Sequence, residues 1–132
     1  MRRAVLDGYA ILAFLFRERG YQKVLEVLER SARANDTLLV AAPNWAEVRY
    51  VVERKVGAKR WGEARDKLLG LPLEVVPADR ELAELAGELK ATRKMSLADC
   101  FAAALAKQTR SEVYTGDPEF REVEKDVKVV WL

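Results

Sequence analysis

Histidine is absent from this 132-residue sequence. Its absence removes Ser-His-Asp and Cys-His catalysis, histidine-ligated zinc and imidazole acid–base chemistry together. A single cysteine, Cys100, excludes an intramolecular disulfide and a four-cysteine metal site. In an alanine-rich stretch it reads as a small buried hydrophobe, at home in a reducing cytoplasm. No apolar run approaches the roughly 20 residues of a membrane span. The opening Met1-Arg2-Arg3-Ala4-Val5-Leu6-Asp7 reaches an acid before the apolar region of a signal peptide can form. Glycine and proline number only 7 and 4, and neither gathers into a linker. The 23 basic and 21 acidic residues nearly cancel, a balance that neither demands nor excludes a nucleic-acid partner. Hydrolytic chemistry on such a chain must run on carboxylates, hydroxyls, lysines or bound hard metals.

What is present is a repeating order of strands and helices. Arg3–Asp7 is a short strand candidate, and Tyr9 to about Phe16 a helix broken by Gly20. Tyr21 to about Arg33 carries Val24, Leu25, Leu28 and Ala32 as a core-facing stripe. Thr37–Ala41 reads as a buried strand, after which Asn44 is expected to cap a helix from Trp45 to about Val56. A helix over about Lys59–Leu69 closes with Gly70, and Leu73–Val76 is a third strand. Asp79 caps a helix striped by Leu82, Leu85, Ala86 and Leu89, and Ser96 opens the next. Strands at Glu112–Thr115 and Val127–Leu132 finish the chain. Strands alternating with helices predict one α/β domain over 1–132, a parallel sheet with helices on both faces.

In such a fold the ends of parallel strands share an edge with the first turns of the following helices. Asp7 ends the first strand and Asp117 follows the fourth. Asn44-x-x-Glu47 and Ser96-x-x-Asp99 each bring an acid to a helix start. Glu47 and Asp99 also fit the third position of a capping box, where an acid satisfies amide donors; Asp7 could cap a helix and Asp117 could open a turn. Taken together the four acids repel. A pair about 4 Å apart costs on the order of 1 kcal/mol even at water's dielectric constant, so the cluster calls for a cation. All-oxygen ligation selects Mg²⁺ or Mn²⁺ over zinc. A hard divalent ion held by carboxylates supports phosphodiester hydrolysis without an imidazole.

Val5-Leu6-Asp7 with Tyr9-Ala10-Ile11-Leu12-Ala13, then Asn44-Trp45-Ala46-Glu47-Val48, Leu97-Ala98-Asp99-Cys100-Phe101 and Tyr114-Thr115-Gly116-Asp117-Pro118-Glu119-Phe120 resemble, in order, the motifs of the PIN-domain family. At this size the chain looks most like a VapC-type toxin ribonuclease of a toxin–antitoxin pair. The resemblance implies a three-layer α/β/α fold with a parallel sheet of order 3-2-1-4-5. It also implies a Mg²⁺- or Mn²⁺-dependent endoribonuclease site for single-stranded or loop RNA. It carries over Asp7, Glu47, Asp99 and Asp117 as catalytic acids, with Asp7, Asp99 and Asp117 on the metal and Thr115 and Glu119 in support. A homodimer and a cognate antitoxin complete the implied assembly, in the cytoplasm and off the membrane.

One position departs from the family pattern. Where members often carry a hydroxyl residue just after the first Asp, this chain has Gly8 and Tyr9. Arg49, Arg93 and Lys94 are candidates for RNA contact, Tyr9 for base stacking, Trp45 for core or dimer packing ahead of stacking, and Trp61, Tyr21 and Tyr50 for a dimer contact. A haloacid-dehalogenase-type phosphoryl transferase would need a second Asp where Tyr9 stands, and the G-x-x-x-x-G-K-[ST] nucleotide loop is missing. The remaining rivals are a PIN-like scaffold that binds RNA or protein without cutting, and a PIN nuclease of RNA processing.

Overall fold

Alternation along three central strands sets the architecture. The structure, a computed structural model, describes residues 3–132. Strands β1 (Ala4–Leu6), β2 (Leu38–Ala41), β3 (Leu73–Val76), β4 (Glu112–Thr115) and β5 (Val129–Trp131) form one sheet of order β3-β2-β1-β4-β5. Every pairing is parallel: Val5 lies opposite Leu39 and Val113, Leu39 opposite Glu74, and Tyr114 opposite Val130. Successive strand side chains point to opposite faces, so Val5, Leu39, Ala41 and Val113 feed one core while Ala4, Leu6, Leu38, Val40 and Tyr114 feed the other. Both faces are covered, which is why these strands are nearly continuous in apolar residues.

Helices α1 (Gly8–Leu15), α2 (Tyr21–Arg33), α3 (Ala42–Val56) and α4 (Ala58–Leu69) supply the second of those cores; α5 (Arg80–Thr92) and α6 (Leu97–Thr109) supply the first. Of these, α6 is the most enclosed. Cys100 and Ala102 through Ala106 are all buried, because the helix lies between the sheet and α5. None of the described helices is long and apolar enough to cross a membrane. The predicted strand order is the observed one, and α2, β3 and β4 have the predicted bounds.

Three expectations give way. Ala32, expected on the core-facing stripe of α2, is exposed, and Val27 and Ser31 are buried on that helix with Val24 and Leu28. Asn44 does not cap α3. The helix begins at Ala42 with Pro43 in its first turn, where a missing amide hydrogen is no loss. Asn44 therefore lies inside the helix, fully buried, and its Nδ2 donates to the Ala98 carbonyl at 3.1 Å. Nor is Trp61 a surface contact: it is buried, with its ring edge-on to Trp45 at 5.6 Å between centroids.

Candidate active site

The first acid is fixed by the geometry of a strand running into a helix. Asp7 leaves β1 in an extended conformation and caps α1, its Oδ1 accepting from the Ala10 amide at 2.9 Å. Its other oxygen accepts from the Thr115 hydroxyl. That hydroxyl oxygen in turn accepts from the Asp117 amide at 2.9 Å. Asp117 opens a short 3₁₀ helix, Pro118–Val123, and its Oδ1 accepts from the Glu119 amide at 2.9 Å. Glu119 reaches back across 23 residues to take the Ser96 amide at 2.8 Å. Ser96 caps α6 by accepting from the Asp99 amide at 3.2 Å. The hydrogen bonds thus run without a break from Asp7 through Thr115, Asp117, Glu119 and Ser96 to Asp99. They tie the exits of β1 and β4 to the entrance of α6.

Asp99, Asp117 and Glu119 each bring a carboxylate oxygen within 4.8 Å of the other two. Such a set fits a hard cation, because it offers oxygens alone and leaves mutually repelling charge to be neutralised. Asp7 stands beside this set, its two oxygens accepting from the Ala10 amide and the Thr115 hydroxyl and each keeping a lone pair free. Glu47 comes from the second turn of α3 and lies against the start of α1. A Cβ on Gly8 would overlap Glu47 Oε1 and fall within 3.0 Å of its Cδ.

The electrostatics follow from the crowding. Burial pushes the Asp7 carboxyl up to about 7; the charges of Glu47 and Asp117 add to this, against the hydrogen bonds from Thr115 and Ala10. Asp99 is pushed up to about 9, first by burial and then by a hydrogen bond shared with Glu119 and the charges of Asp117 and Asp7. Glu47 is also raised, by burial and by the charge of Asp117, with the Asn44 amide opposing. Glu119 moves the other way: the hydrogen bond from the Ser96 amide and the one shared with Asp99 hold it as the anion.

The basic residues singled out in the sequence are placed differently. Arg49 is exposed on α3 and pairs with Glu53 at 3.5 Å. The Arg93 guanidinium takes both oxygens of Asp126, at 3.0 and 3.2 Å, and also donates to the Glu122 carbonyl. Lys94 leaves its side chain exposed while its amide donates to Glu122. Arg93 thereby fastens the segment before α6 to the one after the 3₁₀ helix. Arg93→Ala is expected to lower unfolding stability by about 1–2 kcal/mol, read as a shift in the urea midpoint. Glu119 was placed by sequence only in a supporting role. The signal for more was Pro118, which starts a helical turn and puts Glu119 in its first turn beside the capping Asp117.

A parallel five-stranded sheet with an acid cluster at the carboxyl ends of its strands defines a class of fold and site that comparison identifies. The PIN-domain family profile matches residues 4–126. The chain belongs to the PIN-domain family. No curated protein sequence matches it. Among solved structures, VapBC2 of Rickettsia felis bound to a promoter DNA fragment superposes with a TM-score of 0.77 at 16% identity, covering 96% of each chain. DNA-bound VapBC of Salmonella typhimurium gives 0.73 at 18% identity, with 98% of each chain covered. VapC20 of Mycobacterium tuberculosis, described as a sarcin–ricin-loop-cleaving toxin, gives 0.69 at 15% identity over 89% of this chain and 92% of its own.

Proposed function

We propose that this chain is a Mg²⁺- or Mn²⁺-dependent endoribonuclease of single-stranded or loop RNA, acting as the toxin of a toxin–antitoxin pair. The observation that carries the reading is the convergence of Asp99, Asp117 and Glu119 oxygens beside the buried Asp7. Those three residues would hold the cation. When bound, such an ion supplies a nucleophile at neutral pH and offsets charge on the leaving oxygen. Thr115, by donating to Asp7 and accepting from the Asp117 amide, fixes both acids in one orientation. Glu47 completes the negative rim from the α3 side. That the similar solved structures include complexes named VapBC supports a protein antitoxin as partner; a homodimer is the working assembly proposed with it.

The test is cleavage of a labelled single-stranded RNA in Mg²⁺, Mn²⁺ or EDTA. Asp7→Asn and Asp99→Asn, with unchanged far-ultraviolet circular dichroism, are each expected to lose on the order of 10²-fold or more of the rate. Equal cutting by all three proteins would assign the activity to a contaminant. RNA binding without metal-dependent cutting would make the chain a scaffold.

A further inference from the structure

Tyr9 is a large aromatic side chain left 41% exposed at the rim of a carboxylate site. It follows Asp7 by two residues on the first turn of α1. Its ring rests on Gly116, the residue between Thr115 and Asp117: a Cβ there would overlap ring atoms Cε1 and Cζ and fall 2.9 Å from Cδ1. The glycine thus seats the ring against the backbone that joins Thr115, the hydroxyl partner of Asp7, to Asp117 of the acid cluster. Beyond it a cleft of about 330 Å³ runs along α1, lined by Tyr9, Leu12, Ala13, Glu18 and Arg19. An acid rim repels a phosphate chain wherever no cation neutralises it. Affinity for a nucleic acid must therefore come from elsewhere, and an aromatic face serves any base because every base has a π-face. The charges of Glu18 and Arg19, which line the same cleft, offset one another, so the aromatic ring is its distinctive feature.

We propose that Tyr9, seated on Gly116, is a stacking shelf for an unpaired nucleobase adjoining the phosphate held at the acid cluster. This rests on the nuclease reading and deepens it: the shelf selects strands whose bases are free to leave a stack, so paired RNA is excluded by geometry at this position. Gly116 is the positioning residue of the shelf. Its φ lies outside the left-handed region, so an added methyl group acts on the Tyr9 ring and not on the backbone.

The experiment measures kcat and KM with Mn²⁺ for wild type, Tyr9→Phe, Tyr9→Ala and Gly116→Ala. The substrates are one single-stranded RNA and versions carrying an abasic ribose on either side of the cut. Tyr9→Ala and Gly116→Ala are expected to raise KM about tenfold with kcat within about twofold, and Tyr9→Phe to retain wild-type values. Wild type on one of the abasic substrates should lose the same factor, and the two losses should not add. Equal KM for wild type and Tyr9→Ala would overturn the shelf and leave the nuclease intact. Loss of self-association by Tyr9→Ala with KM unchanged would make the ring a protein contact and overturn it as well. If wild type itself neither binds nor cuts the RNA, the nuclease reading falls and the shelf with it.

Discussion

Replacing Gly8 by alanine or serine is expected to leave the protein folded and to remove most of the RNA cleavage proposed for it. Gly8 is buried as the first residue of α1, and the space a side chain would need is filled by the Glu47 carboxylate. The obstructing atoms are the far end of a flexible side chain, so Glu47 swings aside while the backbone stays. Alanine is also the better helix former, and stability is expected to hold or rise by up to about 1 kcal/mol. What is lost is the acid that α3 contributes to the rim. A fall of about 10- to 100-fold in rate or metal affinity is expected, the size seen when a group supporting a metal site is displaced. The check is a double-mutant cycle. In a Glu47→Ala background the Gly8 substitution should cost nothing further; additive losses would refute the account. Serine at this position, although it restores the family's hydroxyl, is expected to do no better than alanine.

Metal-free protein is expected to lose stability as pH rises from about 4 to 9, and a divalent cation to return it. The sign follows from the direction of the shifts. Asp7 has a folded value raised from 3.8 to about 7, so the folded state favours the protonated acid. That contribution is fully present below the unfolded value, declines through the interval and is gone above about 7. For Asp7 alone the decline corresponds to about 4 kcal/mol by linkage, and Asp99 extends it toward 9. Thermal melts in EDTA should therefore fall in midpoint across this range. Added Mn²⁺ should raise the midpoint more at pH 8 than at pH 5, because a cation stabilises the anions that burial disfavours. Asp7→Asn, neutral at every pH, should flatten the lower part of the slope. A midpoint that climbs with pH in EDTA would contradict the burial of these acids.

Much of this was legible in the sequence, for local reasons. Short apolar runs bounded by turn residues marked the strands, and Asp79 and Ser96 are helix caps as their positions before apolar stripes suggested. Both Asp7 and Asp117 sit at strand exits, which parallel connections force to one edge. What escaped depends on contacts between residues far apart in the chain. Glu119 joins the cluster because a 3₁₀ turn bends it back to Ser96. Gly8 reads from sequence as a missing hydroxyl, yet its role is set by a carboxylate 39 positions away. Asn44 has the composition of a cap, but the helix starts earlier on Pro43, and its amide instead joins α3 to the start of α6.

The alanines of α6 have a consequence for the site. Ala102, Ala103, Ala104 and Ala106 are essentially without exposed surface, and each carries the smallest side chain that still favours a helix. An alanine has no rotamers to choose among, so the packing of α6 against the sheet admits one depth of seating. Asp99 is carried on the first turn of that helix, while Asp7 and Asp117 are carried by the strands beneath it. The thickness of a methyl layer is therefore the ruler that sets how far apart the acids stand.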